Sequence, residues 1–248
     1  IQPSQSDYFQ ATRGGGNGDY YVIVLAPSSV QEMADFMDLA FTLAFKYRMP
    51  AMILSDGVIG QMMEKVVLPP VKPRRTEEEI KKECPWATFG RTPDRKPNII
   101  TSLELQPEVM EIRNQKLLKK YELVKENEVR YETSQCEDAD YLFVAFGSAA
   151  RISEKAMELA REAGLKVGLF RPITLWPFPE KQLEALAKGK KGVLSVEINA
   201  GQMVEDVRLA THGTVPVEHF GRLGGIVPDP EEIVNSLKEN IKSGRFNG

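Results

Sequence analysis

Four short groups carry the chemistry open to this chain: Gly147-Ser148, Arg171-Pro172, the stretch from Glu197 through Asn199 to Gly201, and His219 with Gly221-Arg222. Each follows an apolar run that reads as a buried strand. Gly147-Ser148 open a helix, so their backbone N–H groups could hold an anion; the alternative is ordinary capping and close packing. Arg171 could bind a phosphate or carboxylate, or pair with Glu197 on a neighbouring strand. Glu197, Asn199 and Gly201 end the third strand on the same edge. His219 is a candidate general base, but no Gly-x-Ser-x-Gly motif supplies it with a nucleophile.

Other motifs read more plainly. The run Arg13-Gly14-Gly15-Gly16-Asn17-Gly18-Asp19 precedes a strand, whereas phosphate loops follow one and carry Gly-Lys-Ser/Thr. It is expected to be a flexible or closely packed loop. Ser55-Asp56-Gly57 reads as a turn at a strand end. Met62 and Met63 read as core or interface packing.

The elements that must position these groups follow from periodicity. Apolar runs at 141–146, 166–170, 193–198 and 215–219 alternate with helical patterns at 151–163, 179–188, 202–211 and 230–242. Such alternation gives a doubly wound parallel sheet with helices on both faces. Ligands in such a sheet bind at the carboxyl ends of the strands, where all four groups fall. No Gly-x-Gly-x-x-Gly follows the first strand, so a dinucleotide fingerprint is absent.

Upstream, residues 20–26 form a β-branched run. Ser28 or Ser29 caps the following helix, Glu32 completing a Ser-x-x-Glu capping box from Ser29, and Met33, Phe36, Met37, Ala40, Phe41, Ala44 and Phe45 give that helix a wide apolar face. Residues 51–54 return as a second strand. Two strands and a helix do not hold a core alone. The unit is expected to be the tail of a larger domain, with a sheet edge or apolar surface left exposed. The loop-like opening at Ile1 and the missing initiator methionine point the same way, to a chain without its N-terminal part. Residues 68–100 are rich in proline and charge and read as a long connection. A charged helix is expected over 104–128. The divisions are 1–68, 69–136 and 137–248.

Composition excludes several classes. The 248 residues are 42% hydrophobic and 27% charged, with a net charge of −3. That balance provides no electrostatic footprint for nucleic acid. No apolar run reaches the roughly 18 residues of a membrane span. Two cysteines, Cys84 and Cys136, fall short of the roughly four soft ligands of a zinc or iron–sulfur site. No metal ligand set is expected, and a cytoplasmic location fits free thiols.

Several motifs, in order and spanning nearly the whole chain, resemble one family. They are Pro-Ser-Gln-Ser-Asp-Tyr-Phe-Gln-Ala (3–11), Val-Leu-Ala-Pro-Ser-Ser-Val-Gln-Glu-Met (24–33), Leu-Ser-Asp-Gly-Val-Ile-Gly-Gln-Met-Met-Glu (54–64), Phe-Gly-Ser-Ala-Ala-Arg (146–151), Leu-Phe-Arg-Pro-Ile-Thr-Leu-Trp-Pro-Phe-Pro (169–179) and Val-Glu-Ile-Asn-Ala-Gly-Gln-Met (196–203). Together they resemble the α subunit of 2-oxoacid:ferredoxin oxidoreductases. The wording around residues 1–4 and 14–16 is closest to the 2-oxoisovalerate type, with the 2-oxoglutarate type as competitor.

The resemblance implies the C-terminal part of a pyrimidine-type thiamine-diphosphate-binding domain, followed by a transketolase C-terminal-like domain. It implies oxidative decarboxylation of a 2-oxoacid to an acyl-CoA, with electrons passed to ferredoxin. Thiamine diphosphate and magnesium would be held jointly with a β subunit, and iron–sulfur clusters would lie in small partner subunits. It carries over no catalytic residue. Gln5 and Asp7 are candidates for lining the cofactor site; a loop satisfying its own backbone is the alternative. Gly147, Ser148, Arg171, Glu197 and Asn199 remain the candidate ligand edge. A stand-alone anion-binding or assembly module is the competing function, and a dehydrogenase E1-like thiamine enzyme a third.

Overall fold

The computed structural model describes residues 2–16, 18–88, 90 and 93–246. Ile1 of the opening loop and Asn17 of the glycine-rich run lie outside the described residues. The chain opens with helix α1 (Tyr8–Thr12), strand β1 (Ile23–Leu25), helix α2 (Val30–Tyr47), strand β2 (Ala51–Ile53) and helix α3 (Gly57–Gln61). Helices α4 (Glu77–Glu83) and α5 (Pro107–Asn127) punctuate the long connection, and strand β3 (Tyr131–Ser134) closes it. The remainder runs β4 (Tyr141–Ala145), α6 (Gly147–Glu162), β5 (Val167–Pro172), β6 (Thr174–Trp176), α7 (Glu180–Ala187), β7 (Gly192–Glu197), α8 (Met203–Thr211), β8 (Val217–Gly221) and α9 (Pro230–Lys242).

The larger sheet has the order β3-β5-β4-β7-β8. Four strands are parallel, as the alternation predicts. The fifth, β3, is an antiparallel edge strand pairing Glu132 with Arg171 and Thr133 with Phe170. Its short, exposed sequence carries no apolar signal, so only its partner strand makes it a strand. Helices cover both faces: α6 packs with α9, and α7 with α8. Strand β4 shows the alternation that this requires. Phe143 and Ala145 enter the core shared with Ile233 and Leu237. Leu142 and Val144 enter the core shared with Val207 and Leu183.

The second core does not stop at the sheet. It continues through Tyr8, Ile23, Val24 and Leu43, so both parts of the chain share one interior. The reason is β6. After β5 the chain turns at Ile173 and enters the smaller sheet, order β2-β1-β6, with Val24 opposite Trp176 in antiparallel register. Trp176 stacks on Tyr21 at 4.7 Å and meets Tyr121 of α5 edge-on. The Phe170-to-Pro177 stretch thus spans both sheets and ends in a cis peptide bond at Pro177.

Helix α2 buries only half of its apolar stripe. Phe36, Ala40 and Leu43 are covered, while Met37, Phe41 and Phe45 are exposed, Phe41 by 63%. Met52 on the edge strand β2 is exposed too. The expected apolar surface is therefore present. The capping box at α2 is half formed: the Ser29 hydroxyl accepts from the Glu32 amide, but the Glu32 carboxylate takes the Ser28 N–H at 2.7 Å. Along 62–105, Met63, Val67, Leu68, Val71, Ile99, Ile100, Leu103 and Leu105 are exposed, Met63 and Val71 by 97%. None of the described helices is long and apolar enough to cross a membrane.

Candidate functional site

The chain reverses direction across the larger sheet between β4 and β7. The βα connection after β4 leads to β5 on one side, and the later connection leads to β7 on the other. A ligand is expected in the crevice between the carboxyl ends of those two strands. In this molecule Gln5 sits there. Its side-chain amide donates to the Phe146 carbonyl at the end of β4 at 2.9 Å, and its Oε1 accepts from the Ile198 amide just beyond β7 at 3.0 Å. Its backbone N–H donates to the Ile198 carbonyl at 2.9 Å, and its carbonyl accepts from the Asn199 side chain at 2.9 Å. Gln5 is buried with every polar group engaged inside the chain.

A second internal occupant fills the anion position. The Asp56 carboxylate caps α3 by accepting from Val58 and Ile59 through Oδ1, at 3.0 and 3.3 Å. Its Oδ2 accepts from the Ser148 amide at the start of α6 at 3.0 Å and from Gln5 at 3.4 Å. One carboxylate therefore serves the N-termini of two helices, where the partial positive charges of the peptide dipoles favour it. Gly147 makes room for this. It has φ +57°, and an added Cβ would lie 2.9 Å from the Gln5 amide nitrogen and 3.0 Å from Asp56 Oδ2. Of the two amides expected to be free at Gly147-Ser148, that of Ser148 is thus met by the chain's own carboxylate.

Glu197 plays the matching role at α8. Wholly buried, it accepts from the amides of Gln202, Met203 and Val204 at 3.1, 2.8 and 2.9 Å, and from the Ser195 hydroxyl at 3.1 Å. His219 lies beside it, Nε2 to Oε1 3.8 Å, too far for a hydrogen bond. That nitrogen is buried with no partner. Burial pushes the His219 pKa down, against the upward pull of Glu197 and with a downward push from Arg208.

Arg171 does not join this group, and it does not pair with Glu197. It forms a bidentate pair with Glu32, NH1 to Oε2 2.9 Å and NH2 to Oε1 2.6 Å, and reaches Glu132 at 2.7 Å. The strand order explains the difference. Glu132 lies directly across on β3, whereas β4 separates Arg171 from the β7 strand carrying Glu197. For the Glu32 carboxyl, burial alone raises the pKa, but the Arg171 and Ser28 hydrogen bonds outweigh it and hold the pKa below the usual value. The cleft beside these groups encloses about 570 Å³ and is lined by Ser28, Glu132, Ser134, Arg151 and Glu154 among others.

Sequence reasoning passed over the residues that hold the opening segment. Gln202 donates to the Ser6 carbonyl at 2.9 Å and accepts from the Phe9 amide at 2.8 Å. Asp206 accepts from the buried Tyr8 hydroxyl at 2.5 Å and pairs with Arg13 at 2.7 Å. Burial first, then the Asp206 charge, pushes the Tyr8 pKa well up. Asp56 reads in sequence only as part of a turn; Gly57 instead opens α3, which the Asp56 carboxylate caps, and the second helix it serves lies 92 positions away. Asp7 is exposed at the start of α1, where its side chain makes no capping bond.

This arrangement positions chain segments and offers no nucleophile–base pair. The crevice lined by Ser4, Gln5, Asp7, Asp56 and Gly147 encloses only about 10 Å³, at or below the space of one water. With Gln5 and Asp56 already engaged, these residues do not fit a thiamine ring. No group of three or more potential metal ligands occurs among the described residues.

Residues 1–133 match the family model for the pyruvate flavodoxin/ferredoxin oxidoreductase thiamine diphosphate-binding domain, and residues 139–233 that for pyruvate:ferredoxin oxidoreductase core domain II. The chain belongs to the 2-oxoacid:ferredoxin oxidoreductase family. It is 44% identical over 239 residues to the ketoisovalerate oxidoreductase subunit VorB of Methanothermobacter marburgensis, covering 96% of this chain and 66% of that one. It is 35% identical to the 2-oxoglutarate synthase subunit KorA of Methanocaldococcus jannaschii, covering 94% and 68%. Among solved structures it is similar to a 2-oxoglutarate:ferredoxin oxidoreductase from Magnetococcus marinus, with 2-oxoglutarate, coenzyme A and succinyl-CoA bound. The TM-score there is 0.78 at 28% identity, covering 97% of this chain and 46% of that one. The chain spans about two thirds of the length of the curated relatives it matches.

Proposed function

We propose that this chain is the α-subunit portion of a 2-oxoacid:ferredoxin oxidoreductase that acts on 2-oxoisovalerate. The supporting observation is the 44% identity to a ketoisovalerate oxidoreductase subunit along 96% of the chain, against 35% to a 2-oxoglutarate synthase subunit. In this reading the enzyme decarboxylates the 2-oxoacid oxidatively, forms an acyl-CoA and passes electrons to ferredoxin. Residues 1–68 belong to the pyrimidine-type thiamine-diphosphate-binding domain, 69–136 connect, and 137–248 form the transketolase C-terminal-like domain. Thiamine diphosphate supplies the carbanion-stabilising chemistry. It is held with magnesium by a β subunit and by residues other than the internally engaged Gln5. Clusters reside in small partner subunits, in the cytoplasm. The exposed aliphatic residues of 62–105 and the bare half of α2 suit a chain covered by other subunits.

The candidate edge enters this reading as scaffold. Gly147, Ser148, Glu197 and Asn199 shape the crevice that Gln5 fills, and Arg171 clamps α2 to β3 and β5. Assembly with the partner subunits tests the proposal. Expected is CoA-dependent ferredoxin reduction, with kcat/KM for 2-oxoisovalerate about tenfold or more above that for 2-oxoglutarate. The chain alone is expected to bind no thiamine diphosphate. The opposite substrate preference would move it to the 2-oxoglutarate type, and 2-oxoacid oxidation by the chain alone would refute the subunit reading.

A further inference from the structure

The opening segment 4–13 is the occupant of the larger sheet's ligand crevice. Gln5 bridges the ends of β4 and β7, Asn199 holds its carbonyl, Gln202 holds Ser6 and Phe9, and Asp206 holds Tyr8 and Arg13. This segment begins the part of the chain that matches a thiamine diphosphate-binding family model. Yet its own residues leave no room for the ring, so a contact role for Gln5 does not account for the side-chain hydrogen bonds and the Arg13–Asp206 ion pair that tie Gln5, Ser6, Tyr8, Phe9 and Arg13 to the C-terminal part of the chain.

We infer that Gln202 is a positioning residue, which with Asn199 and Asp206 seats segment 4–13 on the C-terminal sheet and so sets the geometry of the cofactor-binding part. The inference rests on the thiamine-enzyme reading above. In it the switch point of the C-terminal domain takes no free ligand. Its ligand is a segment of the neighbouring unit, and the domain acts on the chemistry through that segment. Gln202 is the informative member because it is half-buried and bonds the segment with its side chain alone, while its backbone N–H serves Glu197.

The test uses the assembled enzyme carrying Gln202→Ala, Gln202→Glu, or Asp229→Ala. Asp229 caps α9 through hydrogen bonds with Glu231 and Glu232 rather than with the segment, so its variant measures a purely structural loss. In Gln202→Ala, hydrogen exchange at the Phe9 amide is expected to accelerate about tenfold, the equivalent of one lost hydrogen bond. The half-saturating thiamine diphosphate concentration and the 2-oxoacid KM are expected to rise by a similar factor, with kcat within about twofold. Gln202→Glu keeps the acceptor for Phe9 and is expected to fall between wild type and Gln202→Ala. Asp229→Ala is expected to lower Tm and leave cofactor saturation unchanged. Unchanged Phe9 exchange in Gln202→Ala, faster exchange with wild-type cofactor saturation, or an equal shift in Asp229→Ala would each overturn the inference alone. A wild-type complex that turns over without thiamine diphosphate would overturn the reading beneath it.

Discussion

Asp56 and Glu197 are two buried carboxylates doing the same electrostatic work in different ways. Each sits at a helix N-terminus on the carboxyl edge of the larger sheet, where a doubly wound fold presents N–H groups to an anionic ligand. Glu197 serves its own neighbourhood, taking three amides between five and seven residues downstream. Asp56 serves two helices, one beginning at the next residue and one 92 positions away. The coupling between the two parts of the chain therefore runs through Asp56. Removing Glu197 should loosen one βα unit. Removing Asp56 should unfasten one sheet's edge from the other.

The largest effect is expected at Glu197. Glu197→Gln turns one acceptor oxygen into an amide group facing N–H donors in a site with no solvent, at a cost of about 3 kcal/mol. Urea unfolding of the chain measures it, and a loss below about 1 kcal/mol would mean that the site rearranges or admits water. Asp56→Asn comes next. One oxygen can still cap α3, so the cost should be smaller, about 2 kcal/mol. Its location should differ as well: amide exchange is expected to quicken at Ser148 and Gln5, whereas Glu197→Gln quickens 202–204. If both variants loosen the same amides, the two carboxylates form one unit and the comparison fails.

The contrast also marks what the sequence makes legible. Glu197 precedes a helical pattern by a few residues, so its place at a strand end and helix start can be read locally. The same holds for α9, where Asp229 and Glu232 close a capping box and the expected span 230–242 matches Pro230–Lys242. Strands β3 and β6 could not be read this way. Tyr131–Ser134 and Thr174–Trp176 are too short to show a period, and each becomes a strand through a partner distant in sequence. Arg171 shows the same limit at one residue. Its type announced an ion pair, but the partner depends on strand order, which placed Glu132 beside it and β4 between it and Glu197. Gln5 stands out only through the family resemblance of its loop, while its engagement by Phe146 and Ile198 depends on the docking of whole elements.

Gly147 provides a finer probe of the Asp56 side. Gly147→Ala keeps every polar group and adds one methyl, placed 2.9 Å from the Gln5 amide and 3.0 Å from the carboxylate. The left-handed backbone alone costs a non-glycine residue about 1–2 kcal/mol. The loss should therefore approach that of Asp56→Asn from below. Combining the two should give less than the sum, because both act on one contact. Full additivity in a double-mutant cycle would show that the methyl finds room elsewhere and that the glycine serves only its φ angle.

The smallest expected effect separates the two carboxylates by pH. Only Glu197 has an imidazole beside it. His219 is depressed first by burial, then pulled up by Glu197 and pushed down by Arg208, with a net downward shift. In the unfolded chain its pKa is about 6.5. Above that value both states are neutral and His219 costs nothing. As pH falls through about 6.5 the unfolded chain takes the proton first, so stability declines until pH drops below the depressed folded value, where the slope ends. The difference between the stability–pH curves of wild type and His219→Gln isolates this contribution from the carboxylates titrating lower down. It should be flat above pH 7 and fall below about 6.5. A rise on acidification would mean that the protonated ring closes the 3.8 Å gap and pairs with Glu197. That node would then tighten in acid, and the passive cap assigned to Glu197 would have to be replaced by an ion pair.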